Sequence, residues 1–142
     1  KAYFYCKLGR PELYGRIEDA IVYYNFIGKD SVREIVSSTV DAAIASAGEM
    51  VGIGAFDGAA VEAVKDKIAE YCRDCRVRAM GARGIIKGTE KLFTGSLSRG
   101  LLSEYFCSDR REELRGKTLT CSCRCGDKVL SKPDDIVWEI AD

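Results

Sequence analysis

The chain has 142 residues, among them seven cysteines and no histidine. Without an imidazole, every mechanism that needs a histidine base, a histidine metal ligand or a histidine proton switch is excluded. The 22 Lys and Arg residues equal the 22 Asp and Glu residues, so no excess of positive charge attracts nucleic acid, and we expect no nucleic-acid partner.

The length predicts one domain that covers residues 1–142. An apolar fraction of 46% and a charged fraction of 31% are typical of a globular protein with an ordinary core. No apolar run approaches the roughly 18 residues of a membrane span. An odd number of cysteines fits poorly with a fully disulfide-paired secreted protein, so we expect a cytoplasmic location.

The first third of the chain predicts a strand followed by two helices. Residues 2–8 are rich in aromatic side chains and alternate in polarity, which is typical of a strand. Apolar residues then recur at helical spacing between Pro11 and Gly28. Ser31 and Glu34 form a capping-box pattern at the start of the clearest helix, whose other face is rich in Ser and Ala. Its predicted buried residues are Val32, Ile35, Val36, Val40, Ala43, Ile44 and Ala47.

The middle of the chain predicts two more helices separated by a glycine-rich segment. Glycines at 52, 54 and 58 indicate a turn, and Asp57 can cap the helix that follows it. Residues 76–88 are glycine-rich and basic, which favours a short strand and a loop. A fourth helix is predicted from Thr89, with Leu92, Phe93, Leu97, Leu101 and Tyr105 facing inward.

The last third predicts a β-hairpin. Residues 117–125 and 136–140 are β-prone and are joined through Gly126 and Pro133. The order of strand, helices and hairpin predicts an α+β fold: about four helices packed on a small antiparallel sheet, which is formed by the N-terminal strand and the C-terminal hairpin.

The cysteines offer a candidate metal or redox site. Five of them form two groups that could together supply the thiolate ligands of zinc or of an iron–sulfur cluster. These are Cys72 and Cys75, and Cys121, Cys123 and Cys125. The two groups are separated by about 45 residues, which differs from the usual spacings of zinc-finger motifs. Thiolates around one metal lie under ~4 Å apart. Alternate residues of a flat strand lie ~6.6 Å apart, so Gly126 would have to bend the chain.

Two other interpretations of these thiols stay open. Cys72 and Cys75 continue the apolar stripe of the third helix, and free cysteine is among the most buried residue types. Period-two burial would also place the three later cysteines on a core face, with Ser122 and Arg124 outward. Alternatively, Arg124 would stabilise a thiolate in a redox enzyme or sensor.

A second candidate site is an anion-binding loop. Basic side chains cluster between the third and fourth helices, and glycines at 81, 84 and 88 would let backbone amides approach a phosphate. The alternative is an ordinary solvated loop. The candidate anion-binding residues are Arg76, Arg78, Arg83 and Lys87.

The C-terminal third resembles a known family. The helix TGSLSRGLLSEYF (residues 94–106) is followed by LTCSCRCGD (119–127) and DDIVWEI (134–140). This order is similar to the ending of 4-vinyl reductase domains, whose fold is shared with small subunits of the TRAPP tethering complex. In the resemblance, Cys121 or Cys123 matches the first family cysteine, and Trp138 matches the closing aromatic.

The resemblance implies an α+β ligand-binding or protein-binding module, often dimeric, with a hydrophobic pocket under its helices. Some relatives sense small aromatic molecules, and others act in tetrapyrrole metabolism. The chain offers no acid–base set, so we expect a sensing or adaptor module without catalysis. Its partner would be a small apolar ligand or a protein, and a homo-oligomer is expected. The alternatives are a cysteine-ligated zinc or iron–sulfur accessory protein and a thiol redox sensor.

Overall fold

The computed structural model describes residues 3–17, 27–74, 77, 79–107, 109–126 and 128–141. Its helices are α1 (Pro11–Ile17), α2 (Lys29–Val51), α3 (Gly58–Cys72), α4 (Gly81–Thr89) and α5 (Ser103–Cys107). Its strands are β1 (Ala55–Phe56), β2 (Thr118–Cys123) and β3 (Ile136–Ala141). The predicted α+β class is therefore confirmed. Within these residues, no helix combines the length and the apolar character needed to cross a bilayer.

The sheet is mixed, so the predicted antiparallel sheet is wrong. Its order is β1-β2-β3, with β1 parallel to β2 and β2 antiparallel to β3. The predicted N-terminal strand is also wrong, because Tyr3–Lys7 forms a π-helical turn. The predicted C-terminal hairpin is present, and its register pairs Cys121 with Trp138.

Two glycines bring β1 beside β2. Gly52 ends α2 in the left-handed conformation, with φ of 77°, which only glycine adopts without cost. At Gly54, a Cβ atom would lie 2.6 Å from the Gly116 carbonyl oxygen, so only glycine permits this approach. The Gly54 N–H donates to the Lys117 carbonyl at 2.9 Å. Asp57 then caps α3 and accepts a hydrogen bond from the Thr120 hydroxyl on β2.

Residues 81–107 form one continuous helical segment, which we call the long helical segment. It consists of α4, the π-helical turns Glu90–Thr94 and Leu97–Leu102, and α5, with right-handed helical dihedrals at the junctions. The prediction of a strand and loop before Thr89 is thus wrong for residues 81–88. A Cβ at Gly84 would overlap the Val77 carbonyl, so this glycine provides close packing and not a turn.

The long helical segment packs on the sheet through Trp138. The Trp138 indole N–H donates to the Ser96 hydroxyl at 2.9 Å. The Trp138 ring meets Phe93 edge-to-face, with centroids 5.3 Å apart. β2 lies against α3, and α2 packs across both α3 and α4.

Most of the α2 residues that the sequence predicts to be buried are buried in the structure. Val32, Val36, Val40 and Ala47 are buried, whereas the other three predicted residues, Ile35, Ala43 and Ile44, are half-buried and pack against the core. The described residues form one hydrophobic cluster, to which α3 adds Val64 and Ile68, and the sheet adds Leu119 and Ile136. The prediction of a single domain over residues 1–142 stays a prediction.

Ion pairs join α2 to α3 along one edge. Arg33 contacts Glu62 at 2.6 Å and Asp66 at 2.7 Å. Lys65 contacts both Asp41 and Glu62 at 2.7 Å, although its side chain is only 5% exposed. A buried ammonium is costly unless it is paired, so these carboxylates let the Lys65 side chain pack in the α2–α3 interface.

Removing the Ser96 hydroxyl should destabilise the fold. Ser96→Ala leaves the buried Trp138 N–H without its acceptor, and we expect the free energy of unfolding to fall by about 1–3 kcal/mol in urea denaturation. In a Trp138→Phe background no indole N–H needs an acceptor, so the same substitution should cost less. Equal costs in the two backgrounds would contradict a role for this hydrogen bond.

Candidate functional site

An open apolar groove of about 960 Å³ lies between α2 and the long helical segment. The α2 wall is built from small side chains because Ser38, Ala42 and Ser46 repeat every four residues and so share one face of the helix. This is the Ser- and Ala-rich face that the sequence indicated. The residues of α2 that line the groove are Ser38, Thr39, Ala42, Ala43, Ser46, Ala47, Met50 and Val51.

The other wall is formed by the long helical segment, including the part of it that departs from α-helical geometry. Both π-helical turns supply lining residues, and such turns are frequent at functional sites. α2 contacts the long helical segment mainly at α4 and the first π-helical turn, and the groove continues beyond them toward α5. The lining residues on this wall are Ile86, Glu90, Thr94, Leu97, Ser98, Leu102, Ser103 and Phe106.

Large apolar side chains at the groove are left in contact with solvent. Met50 is 81% exposed, Phe106 48% and Ile86 38%. Among the described residues that line the groove, Glu90 is the one with an ionisable side chain. The groove is thus an apolar surface with a single carboxylate in it.

A smaller polar recess of about 280 Å³ adjoins the end of the groove. It shares Met50, Val51 and Phe106 with the groove, and its charged residues are Glu49, Glu112 and Arg115. Arg115 and Glu112 form an exposed ion pair with a nitrogen-to-oxygen distance of 3.6 Å. The groove therefore passes from an apolar body to a charged end.

Cys121 and Cys123 lie on β2 and Cys125 lies in the turn after it, and the three alternate in exposure with the residues between them. Cys121 is buried, Cys123 and Cys125 are partly buried, and Ser122 and Arg124 are exposed. Burial raises the pKa of the Cys121 thiol to about 12, with further contributions from Cys123 and Asp57. Burial likewise raises the pKa of Cys123, helped by its contact with the Cys125 thiol. These environments favour neutral thiols.

Cys72 lies apart from the β2 thiols, in the contact between α3 and α4. Its sulfur is 3.8 Å from the Ile85 carbonyl oxygen and 4.0 Å from the Thr89 hydroxyl. Burial raises its pKa, and the Thr89 hydroxyl opposes this shift. The other predicted ligand of this group, Cys75, lies outside the described residues.

The described part of the chain brings together no group of three or more His, Cys, Asp or Glu side chains able to hold a metal ion. Gly126 does adopt the left-handed conformation, with φ of 55°, where the sequence anticipated a bend after the cysteines. The proposed metal and redox roles of the five cysteines stay predictions, because Cys75 falls outside the described residues and no observation addresses ligand binding by the others.

The predicted anion-binding residues are only partly described. Arg83 and Lys87 are exposed on α4, one helical turn apart, while Arg76 and Arg78 lie outside the described residues. The glycines between them are not a loop around a ligand, because α4 begins at Gly81. Anion binding by these side chains also stays a prediction.

Sequence reasoning did not place a site at the groove. The small residues of α2 were visible as a face open to close approach, but the groove residues Glu90 and Thr94 were not singled out. A π-helical turn holds more residues than an α-helical turn. A departure of the apolar residues from the 3.6-residue helical period near Glu90 and Thr94 would therefore have indicated these residues.

Thiol accessibility gives a direct test of the cysteine environments. With iodoacetamide at pH 7.5, exposed Cys6 and Cys107 should be modified first. Cys72 and Cys121, which are 0% and 6% exposed, should react at least about 100-fold more slowly, because reaction requires local opening. Mass spectrometry of timed samples measures each site, and fast labelling of Cys121 would contradict the described packing.

The raised pKa of Cys121 should make the fold sensitive to alkali. The unfolded thiol ionises near 9.0, whereas the folded thiol ionises at about 12, so above pH 9 the unfolded chain releases this proton first. Stability due to this group is therefore complete below pH 9 and is lost as the pH rises toward 12. Between pH 8 and pH 10, the free energy of unfolding should fall more in the wild type than in Cys121→Ala.

Ser122→Ala provides the control for that experiment, because this exposed side chain of β2 does not ionise and its removal should keep the pH dependence of the wild type. Urea denaturation at each pH gives the free energies. Identical pH dependence in Cys121→Ala and the wild type would show that the Cys121 thiol ionises equally in the folded and unfolded states.

Comparisons with known proteins do not assign this chain to a family. No family model matches the chain, and neither a curated protein nor a solved structure matches it.

Proposed function

We propose that this chain is a binding module that holds a small apolar ligand in the groove between α2 and the long helical segment, without chemistry of its own. The observation that carries the proposal is the groove itself. Its volume of about 960 Å³ falls within the range of known small-molecule sites, roughly 300–1,000 Å³. Its walls are apolar and small side chains with a few polar groups, which is the composition of such sites.

The exposed side chains at the groove supply a driving force for binding. Met50, Phe106 and Ile86 are all more than a third exposed. Removing apolar surface from water is favourable by about 25 cal/mol per Å², so a ligand that covers these side chains gains affinity from each of them. Exposed apolar side chains along a groove are typical of interaction sites.

The polar groups of the groove favour binding over catalysis. General acid–base catalysis needs a proton donor and a proton acceptor placed around the reacting atoms. Among the described lining residues, only Glu90 has an ionisable side chain. The proposal also agrees with the resemblance of the C-terminal third to 4-vinyl reductase domains, some of whose relatives sense small aromatic molecules.

A protein partner, including a second copy of the chain, is the alternative occupant of the same surface. The concave shape of the groove favours a small molecule, because protein interfaces of stable complexes bury about 800 Å² per partner and are usually broader than such a cavity. The expected homo-oligomer and the metal and redox functions remain predictions beside this proposal.

Filling the groove should abolish binding of an apolar probe. Ala42 lines the groove and is exposed, so Ala42→Trp places an indole in the groove without disturbing the core. We expect this variant to bind the neutral dye Nile red at least about tenfold more weakly than the wild type, measured by fluorescence titration.

Ala45 offers a matched control, because it is exposed on the same helix but does not line the groove. Ala45→Trp should bind Nile red as the wild type does, and both variants should unfold at the wild-type urea concentration. Unchanged binding in a folded Ala42→Trp variant, or no binding by the wild type, would overturn the proposal.

A further inference from the structure

The groove is also lined by hydroxyl groups, whose hydrogen bonds decide what they can offer a ligand. Six of its lining side chains carry hydroxyls, and four of these donate their proton within their own helix. Ser38 and Thr39 donate to the Ile35 carbonyl at 3.0 and 2.7 Å. Ser103 donates to the Arg99 carbonyl at 3.1 Å, and Ser46 to the Met50 sulfur at 3.7 Å. What these hydroxyls offer a ligand is therefore lone pairs.

Glu90 gives the groove its charge. Within the described residues its carboxylate takes part in no hydrogen bond or ion pair. An ionised carboxylate is acceptor-only, with two oxygens available to donors. The basic residues that precede it on α4, Arg83 and Lys87, are exposed but do not line the groove. Among the described residues, the groove thus combines a carboxylate that has no hydrogen-bond or ion-pair partner with hydroxyls that mainly accept.

From this complementarity we infer that the groove takes an apolar ligand that carries a cationic nitrogen, with Glu90 as the counter-charge; this inference rests on the proposed function. An ammonium group donates all its hydrogen bonds and accepts none, so it suits an acceptor-rich groove. An anionic ligand would face Glu90 with few donors to compensate. Charge-assisted hydrogen bonds of this type are stronger than neutral ones.

Three naphthalene probes of similar size separate charge from apolar contact. These are 2-naphthylmethylamine, which is a cation at pH 7.5, neutral 2-naphthalenemethanol and anionic 2-naphthoate. Each is titrated by calorimetry at low salt. We expect the amine to bind about fivefold more tightly than the alcohol, in keeping with a partly exposed ion pair, and the naphthoate to bind more weakly than the alcohol. Raising the ionic strength should reduce the preference for the amine.

Glu90→Gln tests the counter-charge, because it keeps the size of the side chain and removes its charge. In this variant the amine and the alcohol should bind equally. Glu49→Gln is the matched control, since Glu49 lines the smaller recess and not the groove. The control should keep the preference of the wild type for the amine.

The outcomes distinguish the inference from the function on which it rests. If all three probes bind alike and Glu90→Gln changes nothing, the inference is overturned while the binding function stands. If no probe binds, or if Ala42→Trp leaves their binding unchanged, the function itself fails. A dimer seen by light scattering that Ala42→Trp converts to a monomer would assign the groove to a second copy and overturn both.

Discussion

The contact of Trp138 with the long helical segment decides how the rest of the molecule is arranged. The indole reaches from β3 to Ser96 and Phe93, so one face of the long helical segment is committed to the sheet. α2 must then pack on a different face, and it does so mainly at α4 and the first π-helical turn. Beyond that region the two helices no longer fill the space between them. The groove lies where the long helical segment is held by the sheet and no longer packs against α2.

The parts of the fold that could be predicted are those specified by local periodicity. Val32, Val36 and Val40 recur every four residues, which predicts a helix with one buried face, and all three are buried. The C-terminal hairpin was predicted because β-prone residues on both sides of a turn pair locally. The alternation from Cys121 to Cys123 likewise follows from the two-residue period of a strand.

The parts that could not be predicted depend on distant contacts. β1 has only two residues, and its parallel pairing with β2 relies on Gly54 meeting Gly116, which are far apart in the chain. α4 begins in glycine-rich sequence because Gly84 packs against Val77, whereas glycine by itself disfavours a helix. The small residues of the groove were visible in the sequence, but its volume depends on how two helices diverge.

The two π-helical turns also bear on how this chain can change over generations. A π-helical turn holds more residues than an α-helical turn, so the loss of one residue from Glu90–Thr94 is absorbed when that turn becomes α-helical, and later side chains keep their direction. Successive residues of an α-helix are rotated by about 100°, so the loss of one residue from α4 would instead turn every later side chain, and Ser96 would no longer face the indole. Single-residue deletions among descendants should therefore fall in the π-helical turns and not in α4.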